Sequence, residues 1–256
     1  MNPSFEASRV AGYRSASQRA GRMGENWVAR EAYCPNCGQG SLRHFDDNRP
    51  AADLRCVACG EDFELKSQKG AIGAKLLDGA YASMIGRITS SAAPNLFVAR
   101  YDAATLTVRD FIVIPKQFLV PSVIEKRPPL PPHARRAGWT GCNILLQNIG
   151  EAGRIPIVAS RLVSDKTTVM AMWQKTLFIR QEVQPERRGW MVDVMACISK
   201  IGEKKFSLRE LYMFESALQT SYPQNLNIRA KIRQQLQKLR DGGFIEFLGD
   251  GNYIQK

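Results

Sequence analysis

Apolar residues recur at intervals of three or four residues in three stretches of the first part of the chain, which predicts three helices. The first stretch ends in the amphipathic sequence GENWVAREAY, in which Trp27 and Val28 can face a core while Glu25 and Arg30 face water. The predicted helices lie within residues 1–30, 70–88 and 166–179.

Runs rich in β-branched and aromatic residues predict three strands in the same part of the chain. One run ends at Pro115, where a ladder hydrogen bond cannot continue. The predicted strands are residues 95–102, 106–115 and 154–159. Residues 121–143 are rich in proline and arginine and match neither period, and long connections of this kind tend to carry function.

The last part of the chain predicts a winged helix domain. Three amphipathic segments follow one another, and a short hairpin around the sequence Gly-Asp-Gly-Asn closes the series. The three segments and the hairpin occupy residues 189–201, 207–220, 227–243 and 244–254. A polar stretch at residues 180–189 is the candidate linker, so we expect a domain of residues 1–182 and a winged helix of residues 183–256.

Length and composition fit a soluble protein of two domains, with 256 residues of which 44% are hydrophobic. Lysine and arginine total 36 against 24 acidic residues, a formal charge of +12 that favours a polyanionic partner such as nucleic acid. On charge alone, a basic protein without such a partner is the alternative. No apolar run approaches the roughly 18 residues that cross a bilayer and no signal peptide is evident, so we expect a cytoplasmic protein without a membrane partner.

Four of the six cysteines form two C-x-x-C pairs, Cys34 with Cys37 and Cys56 with Cys59. The 18 residues between the pairs suit a zinc site, because each tight knuckle offers two thiolates to a tetrahedral ion. Two disulfides or four packed thiols are the alternatives, which a reducing compartment disfavours. We predict a zinc ribbon over residues 34–59 in which Zn²⁺ is structural, because four thiolates leave no open position for a substrate.

The second cysteine pair forms the turn of a predicted hairpin, which brings Asp53 back beside Glu64 and Lys66. Because side chains alternate along a strand, Glu64 and Lys66 share one face while Phe63 and Leu65 point to the other, toward a core. Two converging carboxylates suit Mg²⁺, and Lys66 would orient or deprotonate a water molecule. A solvated strand face with alternating charges is the alternative, which the Glu-Leu-Lys string alone does not exclude.

The combination of Asp53 with Glu-Leu-Lys at residues 64–66 resembles the PD-(D/E)xK nuclease superfamily. The resemblance to DpnI-like restriction endonucleases extends in collinear order over nearly the whole chain. It is carried by the strings YCPNCG, NRPAAD, FELKSQKG, DGAYASMIGR, PKQF, ARRAGWTGCNI and IRQQLQKLRDGGFIEF. One departure is that Ala52 precedes Asp53, with Pro50 displaced.

This resemblance implies an α/β fold with a PD-(D/E)xK nuclease core, an inserted four-cysteine zinc ribbon and a C-terminal winged helix. It implies a nuclease that cuts GATC sites containing N6-methyladenine and contacts the site with both domains.

The stretch NIRAKIRQQLQKLR carries five basic residues and no acidic residue beside an apolar stripe. This is expected of the recognition helix of a winged helix, with one face packed and the other in the major groove. Arginine and lysine can contact guanine or phosphate, and glutamine can reach adenine. A basic surface helix with no partner is the alternative. The predicted DNA-contacting residues are Arg229, Lys231, Arg233, Gln234, Gln235 and Lys238.

In the long connection, Arg135 and Arg136 precede Trp139, and both arginines are predicted DNA contacts. The resemblance places Trp139 at the position that contacts adenine methyl groups. A methyl group on adenine N6 is an apolar bump in the major groove, which an indole face can bury. Burial of one methyl contributes only about 0.8 kcal/mol. Strong preference for methylated DNA therefore needs a second DNA-contacting surface or the exclusion of unmethylated sites from the arrangement that cuts. From the residues alone, an ordinary core or hinge aromatic is the alternative.

The sequence therefore predicts a Mg²⁺-dependent type II site-specific deoxyribonuclease that acts on methylated double-stranded DNA, as a monomer without an obligate protein partner. The rival is a non-cleaving transcriptional regulator that binds methylated DNA, since a zinc ribbon and a winged helix also serve binding alone. The presence of Asp53, Glu64 and Lys66 favours the enzyme.

Overall fold

The computed structural model describes residues 1–5, 16–45, 52–90 and 93–256 of the chain. Within these residues the fold is mixed α/β. The α-helices are α1 (Ala16–Glu31), α2 (Tyr81–Thr89), α3 (Lys166–Gln174), α4 (Pro185–Ile201), α5 (Leu208–Tyr212), α6 (Glu215–Ser221) and α7 (Ile228–Asp241).

The strands of the same described residues form three sheets. They are β1 (Arg43–His44), β2 (Leu54–Arg55), β3 (Asp62–Gln68), β4 (Lys75–Ala80), β5 (Asn95–Asp102), β6 (Thr107–Ile114), β7 (Ile124–Lys126), β8 (Gly141–Leu145), β9 (Ile155–Ala159), β10 (Leu162–Val163), β11 (Lys205–Ser207), β12 (Ile245–Gly249) and β13 (Asn252–Gln255). Short 3₁₀ helices occupy Lys116–Phe118, Pro121–Val123, Leu146–Asn148, Glu151–Gly153 and Leu177–Gln181.

The chain divides into two compact units. Unit 1 comprises Met1–Gly73, Ala92–Lys116 and Arg154–Gln174. Unit 2 comprises Ala74–Ser91, Gln117–Gly153 and Lys175–Lys256. The division of the sequence at residue 182 stays a prediction, and the part of the first predicted helix at residues 6–15 lies outside the described residues.

Unit 1 is built on a seven-stranded sheet in the order β1-β2-β3-β5-β6-β9-β10. β3 and β5 are parallel, and the other neighbouring strands of this sheet are antiparallel. Three buried rings, Phe63, Phe97 and Phe111, follow one another across the sheet with centroid distances of 4.5 and 4.9 Å. Trp27 of α1 meets Phe111 edge-on at 5.1 Å, so the predicted core position of Trp27 is confirmed.

Helix α1 lies close against β3. A Cβ atom at Gly24 would come within 2.7 Å of Ser67 Oγ and 3.3 Å of the Leu65 side chain, so glycine permits the close approach. Because Leu65 and Ser67 alternate with Glu64 and Lys66 along the strand, α1 covers the face of β3 opposite to the charged pair.

In unit 2, β4, β8 and β7 form an antiparallel sheet with β8 in the centre, and α2 continues directly from β4. The prediction of one helix over residues 70–88 is therefore wrong for its first half. The strand β4 pairs with residues far along the chain, and such pairing leaves no trace in local periodicity. Residues 121–143 were predicted to be irregular, but they include β7 and the start of β8.

The C-terminal part of unit 2 has the helices and hairpin of a winged helix, with the sheet β11-β13-β12 as the wing. Helix α5 begins with a capping box, in which Ser207 and Glu210 satisfy each other's backbone N–H groups. The segment predicted as one helix over residues 207–220 consists of α5 and α6. The prediction of a helical C-terminal domain is confirmed.

A buried carboxylate ties elements of unit 2 together. Asp193 of α4 accepts hydrogen bonds from Ser122 Oγ at 2.8 Å and from Tyr222 Oη at 2.6 Å. Burial raises the pKa of Asp193, while the two hydroxyl donors oppose this change. Tyr222 also stacks on Trp190, with ring centroids 3.8 Å apart. The pair of hydroxyls satisfies a carboxylate whose burial is otherwise costly.

In the parts of the chain that the structure describes, no helix combines the length and the apolar character needed to cross a bilayer.

Candidate functional site

The sulfur atoms of the two cysteine pairs converge on one point in unit 1. The Sγ atoms of Cys34, Cys37, Cys56 and Cys59 all lie within 4.8 Å of one another, and none is in a disulfide. Thiolates bound tetrahedrally at about 2.3 Å from zinc lie roughly 3.8 Å apart, so the four sulfurs fit a structural zinc site. The Sγ atoms of Cys34 and Cys59, and those of Cys37 and Cys56, lie 3.5 Å apart, which is longer than a disulfide bond and favours the metal site over the alternative of two disulfides.

The two knuckles have the same backbone geometry. Gly38 N donates to Cys34 O at 2.7 Å, and Gly60 N donates to Cys56 O at 2.9 Å. Both glycines have a positive φ, 75° and 76°, which residues with a Cβ atom adopt only with strain. Each glycine therefore closes the turn that holds one pair of sulfurs.

Asn36, between the first two cysteines, links the cluster to α3. Its Oδ1 accepts a hydrogen bond from Trp173 Nε1 at 3.1 Å, and its side chain also hydrogen-bonds Cys59. Groups in this position orient the residues that hold a metal. Sequence reasoning missed Asn36, because an asparagine between paired cysteines carries no distinctive signal. Burial raises the pKa of the Cys34 thiol, and a bound cation would favour its ionised form.

The second knuckle is the turn of the hairpin that carries the predicted catalytic residues. β2 and β3 pair with Leu54 opposite Phe63 and Arg55 opposite Asp62. Asp53 lies just before β2, and its N–H donates to Phe63 O at 2.9 Å. The positive charge of Lys66 acts to lower the pKa of the Asp53 carboxyl, so the two side chains lie within electrostatic range of each other. The structure therefore brings Asp53 beside the segment of β3 that carries Glu64 and Lys66.

Asp53 is half-buried and held by the backbone of the opposing strand. Its Oδ2 atom accepts a hydrogen bond from Leu65 N at 2.7 Å. Burial raises the pKa of Asp53, the Leu65 N–H opposes this change, and the negative charge of Glu25 adds to it. An ionised carboxylate accepts about four hydrogen bonds or ligand contacts, so one bond to Leu65 leaves capacity for a cation.

Glu64 and Lys66 form a half-buried ion pair, with Lys66 Nζ 2.5 Å from Glu64 Oε1. The amine of Lys66 therefore lies beside the Glu64 carboxylate, and its charge also acts on Asp53. Glu64 and Lys66 share one face of β3, and Asp53 is held against the same strand by Leu65 N. This arrangement offers oxygen ligands of the kind that Mg²⁺ prefers and a cation beside them. Pro50, the displaced proline of the superfamily pattern, lies outside the described residues.

Helix α7 of unit 2 has the two faces that its sequence predicts. The four residues of its apolar stripe are buried, while all five of its basic residues and two glutamines are exposed or half-exposed. The buried set is Ile228, Ile232, Leu236 and Leu239, and the other set is Arg229, Lys231, Arg233, Gln234, Gln237, Lys238 and Arg240. The predicted apolar stripe is confirmed by this burial.

Several basic side chains of α7 have protein partners. Arg229 pairs with Glu215 at 2.7 Å, and its guanidinium lies 4.9 Å from the Tyr212 ring. Lys238 forms an ion pair with Glu182. Lys231 lies over the ring of Trp190, 5.9 Å from its centroid. DNA contacts by these residues stay a prediction.

The structure removes Gln235 from the predicted set of DNA-contacting residues. Its side chain is fully buried, so it does not lie on the exposed face with Gln234. The spacing of Ile228, Ile232, Gln235 and Leu239 is itself the period of the apolar stripe. The signal was present in the sequence, but the polarity of glutamine favoured the exposed interpretation.

The loop between β7 and β8 is ordered by its own backbone hydrogen bonds. Leu130 N donates to Trp139 O at 2.9 Å, and Gly138 N donates to Leu130 O at 3.0 Å. Trp139 is half-exposed, and the arginines Arg135 and Arg136 lie just before it in the loop, with Arg136 exposed. The guanidinium of Arg136 lies 4.6 Å from the centroid of the Trp139 indole.

Two family models match the chain. One, described as DpnI, the Dam-replacing family, matches residues 1–182, and a second, the Dam-replacing HTH domain, matches residues 186–255. The chain belongs to the DpnI family. The resemblance inferred from the sequence is thereby confirmed.

Membership in the DpnI family makes the chain a hydrolase that acts on DNA, a restriction nuclease of the methyl-dependent kind. The match to the HTH domain assigns the DNA-binding helical domain to the C-terminal residues, where the structure has α4 to α7 and the wing. For a DpnI-family nuclease, the β2–β3 hairpin with Asp53, Glu64 and Lys66 and the basic helix α7 are the two candidate functional surfaces.

Proposed function

We propose that the protein is a Mg²⁺-dependent type II endonuclease that hydrolyses phosphodiester bonds of double-stranded DNA at GATC sites containing N6-methyladenine. The observation that carries the proposal is the meeting of three side chains at the β2–β3 hairpin. Asp53 accepts a hydrogen bond from Leu65 N and lies within electrostatic range of Lys66, which is the ion-pair partner of Glu64. In a DpnI-family chain, two acids and an amine brought together in this way suit metal-assisted phosphodiester hydrolysis.

Asp53 and Glu64 are the proposed ligands of the catalytic metal. A bound Mg²⁺ would stabilise charge on a phosphate oxygen and favour ionisation of a water molecule. The backbone N–H of Leu65 holds the Asp53 carboxylate in a fixed orientation, since it donates at 2.7 Å. Preorganised ligands of this kind do not have to be reoriented when the substrate binds.

Lys66 is the proposed water-orienting residue. Its amine lies within ion-pair distance of Glu64, so it stands beside the proposed metal position and not within the ligand set. There it can donate a hydrogen bond to water or to phosphate, and a neighbouring cation would favour its deprotonated form. We propose that these three residues and the sheet around them constitute a PD-(D/E)xK core.

The four-cysteine cluster is proposed to support this site mechanically. The knuckle at Cys56 and Cys59 is the turn between β2 and β3, so a bound Zn²⁺ fixes the turn whose two strands carry Asp53 and Glu64. Its four thiolates complete the coordination shell, which excludes this ion from the hydrolysis itself.

Methylated adenine is proposed to be read by Trp139, preceded by Arg135 and Arg136. The half-exposed indole offers apolar surface for an N6-methyl group, and the two guanidinium groups suit phosphate or guanine. In the C-terminal domain, Arg229, Lys231, Arg233, Gln234 and Lys238 of α7 are the proposed contacts. One methyl contact of about 0.8 kcal/mol does not distinguish methylated from unmethylated DNA well enough. Two DNA-contacting surfaces would each supply part of the required difference in binding free energy. We propose that a monomer suffices.

The proposal is tested by incubating the protein with Mg²⁺ and either Dam-methylated or unmethylated plasmid. We expect cleavage of the methylated plasmid alone, and loss of cleavage in Asp53→Ala. Equal cutting of both plasmids would refute the dependence on methylation. Full activity of Asp53→Ala would refute the proposed site.

The same experiment separates the enzyme from a non-cleaving transcriptional regulator. A regulator would bind the methylated DNA in Ca²⁺ or EDTA and never cut it in Mg²⁺. The family and the acid pair at Asp53 and Glu64 support the enzyme.

A further inference from the structure

The first residue of β8, Gly141, lies directly after the loop that carries Trp139. It is buried, and its φ is not in the left-handed region, so the backbone conformation does not require glycine. Strand interiors generally disfavour glycine, because it packs poorly and loses more entropy on folding. The reason for glycine at position 141 is therefore sought in the space available for a Cβ atom.

The space above Gly141 is occupied by the indole of Trp139. A Cβ atom on Gly141 would lie 2.9 Å from both Cη2 and Cζ3 of the Trp139 ring, and 3.3 Å from Arg127 Nη1. Carbon atoms in ordinary contact are about 3.5–4.0 Å apart, so an alanine methyl would displace the ring by roughly 0.6 Å or more. The indole therefore rests on the bare backbone of β8.

A second contact restrains the same ring. The guanidinium of Arg136 lies 4.6 Å from the indole centroid, in the range of a cation–π interaction. The orientation of Trp139 is thus set by the glycine beneath its outer edge and by a planar cation over its face.

We infer that Gly141 is a positioning residue for methyl discrimination, which acts by leaving room for the Trp139 indole in the pose that meets the adenine methyl group. This inference rests on the proposed role of Trp139 in recognising N6-methyladenine. Dispersion contacts weaken steeply with distance, and a gap of about 0.5–1 Å forfeits a quarter to a half of the attraction. A forced shift of the ring therefore reduces the preference for methylated DNA while the charges that bind phosphate stay in place.

The test compares dissociation constants for methylated and unmethylated GATC duplexes, measured by fluorescence anisotropy with Ca²⁺ in place of Mg²⁺. The ratio of the two constants is the discrimination. We expect Gly141→Ala to lower it by about 1.4- to 2-fold, the factor that corresponds to losing a quarter to a half of the roughly 0.8 kcal/mol of one buried methyl group. Gly86→Ala is the matched control, because a Cβ at Gly86 in α2 meets no atom within 4 Å. It should leave the ratio unchanged.

A double-mutant cycle shows whether Gly141 acts through Trp139. The phenyl ring of Trp139→Phe lacks the outer indole carbons Cη2 and Cζ3, so the steric conflict that Gly141→Ala creates disappears. In the Trp139→Phe background, Gly141→Ala should cause no further loss of discrimination. This background also relieves the clash if Gly141→Ala alone impairs folding. Arg136→Lys, which keeps the charge but not the planar group, should also lower the ratio.

The outcomes separate the inference from the proposed function. A wild-type ratio near one would refute methyl recognition itself. A high wild-type ratio that Gly141→Ala leaves unchanged would overturn the role of Gly141 alone. Gly141→Ala could also lower the discrimination equally in wild type and in Trp139→Phe. That result would show a general structural effect and would overturn the role of Gly141.

Discussion

The zinc cluster offers the most informative perturbation, because one of its cysteines can be removed without leaving a cavity. Cys37 is exposed, whereas Cys34 and Cys56 are buried. Truncation of Cys37 to alanine therefore removes a metal ligand but little packing. Cys37→Ala isolates the contribution of the metal to the hairpin that carries Asp53.

The expected loss of stability follows from the length of chain that the metal closes. Between Cys37 and Cys56 lie 18 residues, and a cross-link that closes a loop of about this length contributes roughly 3 kcal/mol by the chain-entropy model. This is a sizeable part of the roughly 5–15 kcal/mol that stabilises a typical domain. We expect the rest of the Cys37→Ala protein to stay folded, and its free energy of unfolding to fall by roughly 3 kcal/mol.

The rate of DNA cleavage should also fall in Cys37→Ala, and steeply. The hairpin turn between β2 and β3 is the second zinc knuckle, so its loosening frees the relative position of Asp53 and Glu64. A displacement of about 1 Å in a catalytic group can reduce the rate by roughly 100-fold. We expect at least this loss of cleavage in Mg²⁺, with binding to DNA through α7 retained.

The measurements are zinc content by mass spectrometry, urea unfolding and the rate of plasmid cleavage. Cys197→Ala is the control, because Cys197 is a buried cysteine of α4 outside the cluster. It should keep its zinc and its activity. A Cys37→Ala protein that contains no zinc and cuts at the wild-type rate would refute the proposed support of the active site.

Three further predictions concern unit 2. Tyr222→Phe removes the hydroxyl that donates at 2.6 Å to buried Asp193, and should cost about 1–3 kcal/mol in urea unfolding; an unchanged midpoint would contradict it. Because burial raises the pKa of Asp193 above 3.8, its contribution to stability is complete below pH 3.8 and is lost as the pH rises through the folded pKa. Asp193→Asn should remove this fall in stability with rising pH. The measurement is urea unfolding across this pH range, and the same fall in both proteins would contradict the prediction. Glu182→Gln frees Lys238 from its ion pair, and should tighten DNA binding at low salt and steepen its salt dependence by about one ion; an unaltered slope in anisotropy titrations would contradict it.

Local chemistry was readable from the sequence wherever it depends on short spacing. The C-x-x-C pairs predicted the cysteine cluster, because each knuckle is complete within a few residues. Alternation along a strand placed Glu64 and Lys66 on one face, and the knuckle between them and Asp53 implied the hairpin. The apolar stripe of α7 followed from helical periodicity in the same way.

Features that depend on distant pairing were not predictable. β4 was mistaken for helix because its partner β8 lies far along the chain, with Leu76 paired to Ile144. The burial of Gln235 conflicts with its polarity, which dominated the interpretation of its position. The role inferred for Gly141 depends on the distance between its backbone and the Trp139 ring, which no pattern of residues encodes.

Single-turnover cleavage of a methylated GATC duplex in Mg²⁺ tests the central claim, that Asp53 and Glu64 hold the catalytic metal on the zinc-supported hairpin. Asp53→Asn keeps an oxygen that can accept from Leu65 N but loses the charge that binds a cation. Asp62→Asn is the control, because it changes an acid of the same hairpin that lies next to the turn and faces Arg55. We predict that Asp53→Asn binds the duplex with unchanged affinity in Ca²⁺-free buffer and does not cut it, and that Asp62→Asn cuts it. Cleavage by Asp53→Asn at the wild-type rate would contradict the account.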